Sequence, residues 1–110
     1  MNWYVVRAIS GKEKKAKEYL DIEIKRLNMS LLIPQVIVPT ERVVQIRNGK
    51  KTIKEKNILP GYMLVETSLE GESQYVIKST PNIIGFVDVD KDGNPTAIRE
   101  SEVNRMLGKA

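Results

Sequence analysis

The chain has 110 residues, 41% hydrophobic and 29% charged, the proportions of one small globular domain that buries about two thirds of its unfolded surface. It contains no cysteine and no histidine, which excludes disulfide scaffolds, thiolate and imidazole metal sites, the Ser-His-Asp triad and cysteine nucleophiles, and fits a reducing compartment. The formal charge of +4 is concentrated in residues 41–56, where Arg42, Arg47, Lys50, Lys51, Lys54 and Lys56 face only Glu41 and Glu55.

Met1 leads into a short apolar run that Arg7 breaks far below the length of a membrane span or leader, so a soluble, cytoplasmic domain is expected. Residues 3–8 are aromatic and β-branched, stop at Ser10-Gly11, and predict a buried strand. Ser10 and Glu13 have the S-x-x-E spacing of a capping box, so a helix should open there. Ala16, Leu20, Ile24 and Leu27 then line one face of it, opposite a solvated face of Lys and Glu.

From Leu31 the pattern turns to β. Val36, Ile37 and Val38 end at Pro39, and residues 42–47 and 50–55 flank Asn48-Gly49, whose tolerance of positive φ predicts a type I′ hairpin. That hairpin has few apolar positions, Val43, Val44, Ile46 and Ile53, so it should project as a twisted basic ribbon with little burial. Pro60-Gly61 opens an apolar strand at Tyr62, residues 71–79 read as a short helix stopped before Pro81, and residues 83–87 as a last strand. Residues 100–107 read as a closing helix with Val103, Met106 and Leu107 inward and Gly108 as its stop. Strands and helices in this order suggest an α+β fold with a mainly antiparallel sheet. A dinucleotide fold would need a glycine-rich βα turn, and neither G-x-G-x-x-G nor G-x-x-x-x-G-K occurs.

Asp88-Val89-Asp90-Lys91-Asp92-Gly93 opens like a calcium loop, but its twelfth position is Arg99 where a bidentate glutamate is required, and no helices flank it. A solvated acidic turn is the plainer reading. Glu and Asp are the remaining acid-base groups, and all lie in polar sequence contexts, so no catalytic role is expected. Neither a metal nor a cofactor is implied. Arg47, Lys50, Lys51 and Lys54 on the ribbon are candidate nucleic-acid contacts, since interleaved cations can follow phosphates. Equally, they are what a soluble sheet edge defended by lysines would show.

Trp3-Tyr4-Val5-Val6, Ser10-Gly11-Lys12-Glu13, Val38-Pro39-Thr40-Glu41, Asn48-Gly49-Lys50-Lys51, Pro60-Gly61-Tyr62-Met63-Leu64-Val65 and Thr80-Pro81-Asn82-Ile83-Ile84-Gly85-Phe86 resemble, in this order, the landmarks of the NusG amino-terminal (NGN) domain family. The resemblance implies a four-stranded, mainly antiparallel sheet flanked by about three helices, with residues 1–110 as one NGN domain. It also implies a factor for transcription elongation, antitermination and termination that binds RNA polymerase across its cleft and modulates pausing and processivity. By position, Arg7, Leu59, Pro60 and Tyr62 would meet the polymerase clamp helices, and Ser73 and Gln74 the gate loop. Ser79 and Thr80 would lie near the displaced non-template strand; the charge excess of the ribbon separately suggests that it follows upstream DNA in such a complex.

Plainer roles stand beside these. Tyr62 could fill the core, Ser73 could cap its helix, and Ser79-Thr80 could form a helix-ending turn. Leu59 stands where many members carry phenylalanine, and Arg99 where a capping serine is common, a loss of about 1 kcal/mol for the last helix. Family members reach Rho or a ribosomal protein through a KOW domain, expected to be missing from this chain, so those partners are not carried over. A monomer is expected. The other readings are a stand-alone nucleic-acid-binding module and an operon-specific antiterminator paralogue.

Overall fold

Strand β1 (Asn2–Ala8) is the spine of the sheet: Tyr4, Val6 and Ala8 alternate inward, while Arg7 is exposed. The computed structural model describes residues 1–107, and the expected stop at Gly108 lies outside the described residues. β2 (Gln35–Ile37), β5 (Tyr62–Thr67) and β6 (Ile83–Phe86) complete the sheet, with β5 and β6 on either side of β1 and β2 beyond β5. Every pairing in the order β2-β5-β1-β6 is antiparallel, and with three helices the class is α+β, as the resemblance implied.

Helix α1 (Glu13–Arg26) buries Ala16, Leu20 and Ile24, and α2 (Ser73–Ser79) adds Val76 and Ile77. These join Val6, Met63, Val65 and Ile83 in one core. Fully buried Leu20 and Ile77 contribute about 1.5–3 kcal/mol each, while exposed pairs such as Lys17–Asp21 and Glu23–Arg26 are screened by water and add little. The core, not the charged helix face, therefore holds the fold.

Two expectations about α1 are corrected. The capping box does not form: Gly11, at φ +85°, turns the chain so that the helix starts at Glu13, with Lys12 before it and no side chain capping its end. Leu27 is not part of the inward face, because the helix ends at Arg26, Asn28 takes φ +55°, and Met29 and Ile33 enter the core instead. Helix α3 (Glu100–Met106) starts behind Arg99, which makes no side-chain cap bond. Its Val103 and the β5 residue Leu64 are buried outside the main core cluster, which places α3 on the second face of the sheet.

Strands β3 (Thr40–Arg47) and β4 (Lys50–Asn57) form a separate two-stranded sheet joined at Asn48 and Gly49, with φ of +52° and +76°. Arg47 pairs with Lys50 and Arg42 with Glu55, the register that the turn predicts. Neither strand packs extensively on another element, and the molecule measures 53 × 30 × 23 Å, so the hairpin projects as expected. At residues 88–94 the chain makes a local turn in which the Asp90 Oδ1 accepts the N–H groups of Asp92 and Asn94 at 2.9 Å.

Candidate functional site

At the Trp3 end, the second face of the sheet is closed by α3 and the extended residues before it, where Ile98 N–H donates to Trp3 O at 2.8 Å. The other end is open. There Arg7, Tyr62, Ile84, Gly85, Phe86 and Val87 line a cleft of about 260 Å³. Local sequence builds it. Pro60 and Gly61, the latter at φ +85°, are the central residues of a type II turn closed by Tyr62 N–H to Leu59 O at 3.1 Å. The turn delivers Tyr62 to the start of β5, where it registers with Arg7, and Arg7 registers with Gly85 on its other side.

A bulge supplies the apolar wall. Ala8 pairs with Ile83 and Arg7 with Gly85, so Ile84 is the extra residue between them. Ile83 is 9% exposed and Ile84 61%. Sequence reasoning missed Ile84, Phe86 and Val87 as site residues. The signal available was two adjacent isoleucines in a short strand, of which only one can face the core. Of the four residues expected to meet the clamp, Arg7 and Tyr62 share this cleft. Leu59 is half-buried and Pro60 exposed in the turn beside it.

Around α2 the structure separates the expected contacts. Ser73 and Thr80 are buried, and their hydroxyls donate to Glu70 O and Val76 O, both at 2.8 Å. In the free domain both hydroxyls are thus engaged by backbone carbonyls, that of Thr80 by one of the last carbonyls of α2. Gln74, Tyr75, Lys78 and Ser79 line a shallow hollow with Gly71, and Tyr75, which the sequence did not single out, is 70% exposed.

On the ribbon, directly opposed residues share a face, so the register sorts its side chains. One face carries Arg47, Lys50, Lys54 and Lys56 with Glu41. The other carries Val44, Ile46 and Ile53, all at least 60% exposed, with Arg42, Lys51 and Glu55. Lys51 thus lies on the side away from Arg47, Lys50 and Lys54.

A further residue was misread in the sequence. Glu13 is buried, contrary to the expectation that every acid is in a polar setting, and its Oε2 accepts Asn57 Nδ2–H at 2.5 Å and Gly61 N–H at 3.2 Å. Its Oε1 makes no well-formed hydrogen bond. Burial pushes its pKa up, but the amides of Glu13 itself and Gly61, the Asn57 side chain and the Gly11 amide outweigh burial, and the net shift is downward. The sign then fixes the pH dependence: stability from Glu13 is fully present above its ordinary value of 4.5 and is lost as pH falls through the lower folded-state value. Urea midpoints measured through that acid range should fall further for the wild type than for Glu13→Gln. Parallel curves would mean that the carboxylate gains nothing from these donors.

Comparison with known proteins agrees with this architecture. The family profile described as "Transcription termination factor nusG" matches residues 1–107. The transcription termination/antitermination protein NusG of Neisseria meningitidis is 43% identical over 105 residues, covering 96% of this chain and 58% of that protein. Its Bacillus subtilis counterpart is 39% identical over 107 residues, covering 96% and 60%. A solved Thermotoga maritima NusG superposes with a TM-score of 0.71 at 25% identity, covering 96% of this chain and 55% of that one. The NusG amino-terminal domain from Methanocaldococcus jannaschii shares the fold, with a TM-score of 0.56 at 20% identity, covering 96% and 99%. The chain spans about three fifths of the length of the curated relatives. With the profile matched over residues 1–107, relatives up to 43% identical across nearly the whole chain, and the four-stranded antiparallel sheet that the resemblance implied, the chain belongs to the NusG family.

Proposed function

We propose that residues 1–110 act as a single NGN domain that binds RNA polymerase across its cleft and alters pausing and processivity during transcript elongation. The observation that carries this reading is the uncovered apolar cleft of Tyr62, Ile84, Phe86 and Val87 beside Arg7, on a sheet face otherwise closed by α3. An apolar cleft with one exposed guanidinium at its edge suits an exposed helix surface that offers apolar side chains and a carboxylate. Gln74, Tyr75 and Ser79 on α2 form the second contact, toward the gate loop. Pro60 and Leu59 extend the clamp contact at its edge. The basic ribbon lies along upstream DNA.

The mechanism is a differential affinity. A domain that touches both sides of the cleft binds the closed clamp better than the open one, and so shifts the polymerase toward the closed, processive state. The protein binds and does not catalyse, acts in the cytoplasm, and works as a monomer. Among the described residues no helix is long and apolar enough to cross a membrane.

The test is retention of purified bacterial RNA polymerase by the immobilised protein, with pause lifetimes on a defined template read beside it. Retention with altered pausing is expected. Absence of retention, together with tight binding to naked duplex at moderate salt, would replace this reading with that of a free nucleic-acid-binding module.

A further inference from the structure

The ribbon and the cleft belong to different sheets, and the ribbon packs extensively on no other element. Its ladder runs down to Thr40 and Asn57, and the Ile58 N–H to Pro39 O bond only extends that ladder. Two polar contacts cross from the root to α1. One is the Lys14–Glu55 pair at 3.4 Å, exposed at both ends and weakened by salt. The other joins Asn57 to the buried carboxylate of Glu13. The same oxygen, Oε2, takes the N–H of Gly61, the turn residue that aims Tyr62 into the cleft. A single buried atom thus bonds the last residue of the ribbon and the turn that builds the docking surface.

We propose that Glu13 is a positioning residue that fixes the angle of the basic ribbon relative to the Arg7–Tyr62–Ile84 cleft, so that both surfaces engage one elongation complex together. The proposal rests on the functional reading given above. An ionised oxygen can hold two donors in charge-assisted bonds, and burial of the carboxylate shields the Gly61 bond fully and the half-buried Asn57 bond in part from competing water. The gain is one of effective concentration. Once the cleft is docked, a ribbon held at a fixed angle finds DNA as an intramolecular partner, whereas a ribbon swinging on a loose root does so less often. Glu13 touches neither polymerase nor DNA in this account, and it acts through Asn57 and Gly61.

The chain has no cysteine, so Lys25→Cys on α1 and Gln45→Cys near the ribbon tip can carry two spin labels without background. The distance distribution between them should be narrow in the labelled protein and broad after Glu13→Ala or Asn57→Ala. Glu13→Gln, which keeps an accepting oxygen, should restore the narrow distribution. Should Glu13→Ala fail to fold, Asn57→Ala decides, because it removes only the donor on the ribbon side. A distribution as narrow in Asn57→Ala as in the parent would overturn the proposal. The unlabelled Asn57→Ala protein should lose about tenfold in affinity for an elongation complex with upstream duplex, and nothing for polymerase without nucleic acid. A broadened distribution with unchanged affinity for the complex would sever the angle from binding and overturn the proposal as well. Wild-type affinity that ignores the upstream duplex would instead overturn the DNA reading of the ribbon, with the spin-label distances still reporting whether Glu13 sets its angle.

Discussion

Changing Ile84 to aspartate is expected to cost about 2 kcal/mol or more of binding to RNA polymerase, roughly a thirtyfold loss, with the fold left intact. Ile84 is the bulged residue of the edge strand β6, and its side chain is 61% exposed, so a carboxylate there stays hydrated in the free protein. In the complex the same carboxylate would be pressed against an apolar helix surface without a partner, and that desolvation is the source of the loss. Leu59→Asp probes the same surface less cleanly. Leu59 is half-buried, and its carbonyl closes the turn that sets Tyr62, so a change there mixes folding with docking. The measurement is a titration of purified polymerase with the Ile84→Asp protein, beside its melting temperature. Wild-type affinity in a variant with wild-type melting would remove the cleft from the docking surface.

What the sequence made legible was what short-range chemistry determines. Asn48-Gly49 demands a turn with two positive φ angles, and that alone set the pairing of β3 with β4 to the residue. Pro60-Gly61 likewise marked where the strand at Tyr62 opens, although the turn they form was not read from the sequence. Ala16, Leu20 and Ile24 declared the inner face of α1 by their spacing. Contacts made at long range stayed hidden. Glu13 looks like a capping residue because Ser10 stands three places before it, yet its partners Asn57 and Gly61 lie 44 and 48 positions away. No local pattern encodes that meeting. The exposure of Ile84 depends on a one-residue slip of β6 against β1, and a slip of that size exchanges inside for outside. The burial of Ser73 and Thr80 stayed hidden for a related reason: a hydroxyl at a helix end can face solvent or a nearby backbone carbonyl, and only the packing of α2 on the core decides for the carbonyls.

The ribbon gives the other large expected effect, because its register divides charges that look equivalent in sequence. Arg47, Lys50 and Lys54 share one face with Lys56, whereas Lys51 stands on the opposite face beside Val44, Ile46 and Ile53. A duplex lying along the ribbon can meet only one face at a time, and the strongly basic face is the one that releases counterions from phosphates. Changing Arg47, Lys50 and Lys54 together to glutamine should therefore lower the slope of log affinity against log salt by about 2 to 3 units, at roughly 0.9 per phosphate contact. Between 50 and 200 mM salt that difference amounts to roughly 15- to 60-fold in affinity for an elongation complex with upstream duplex. Lys51→Gln alone should leave the slope where it was. Binding to polymerase without nucleic acid should not change in either variant, because the cleft of Arg7, Tyr62 and Ile84 is untouched. An equal loss with and without DNA would place the basic face on the polymerase. An unchanged slope in the triple variant would mean that these cations only keep an exposed sheet soluble, and a slope that falls for Lys51→Gln as much as for Lys50→Gln would mean that the duplex does not choose between the faces of the ribbon.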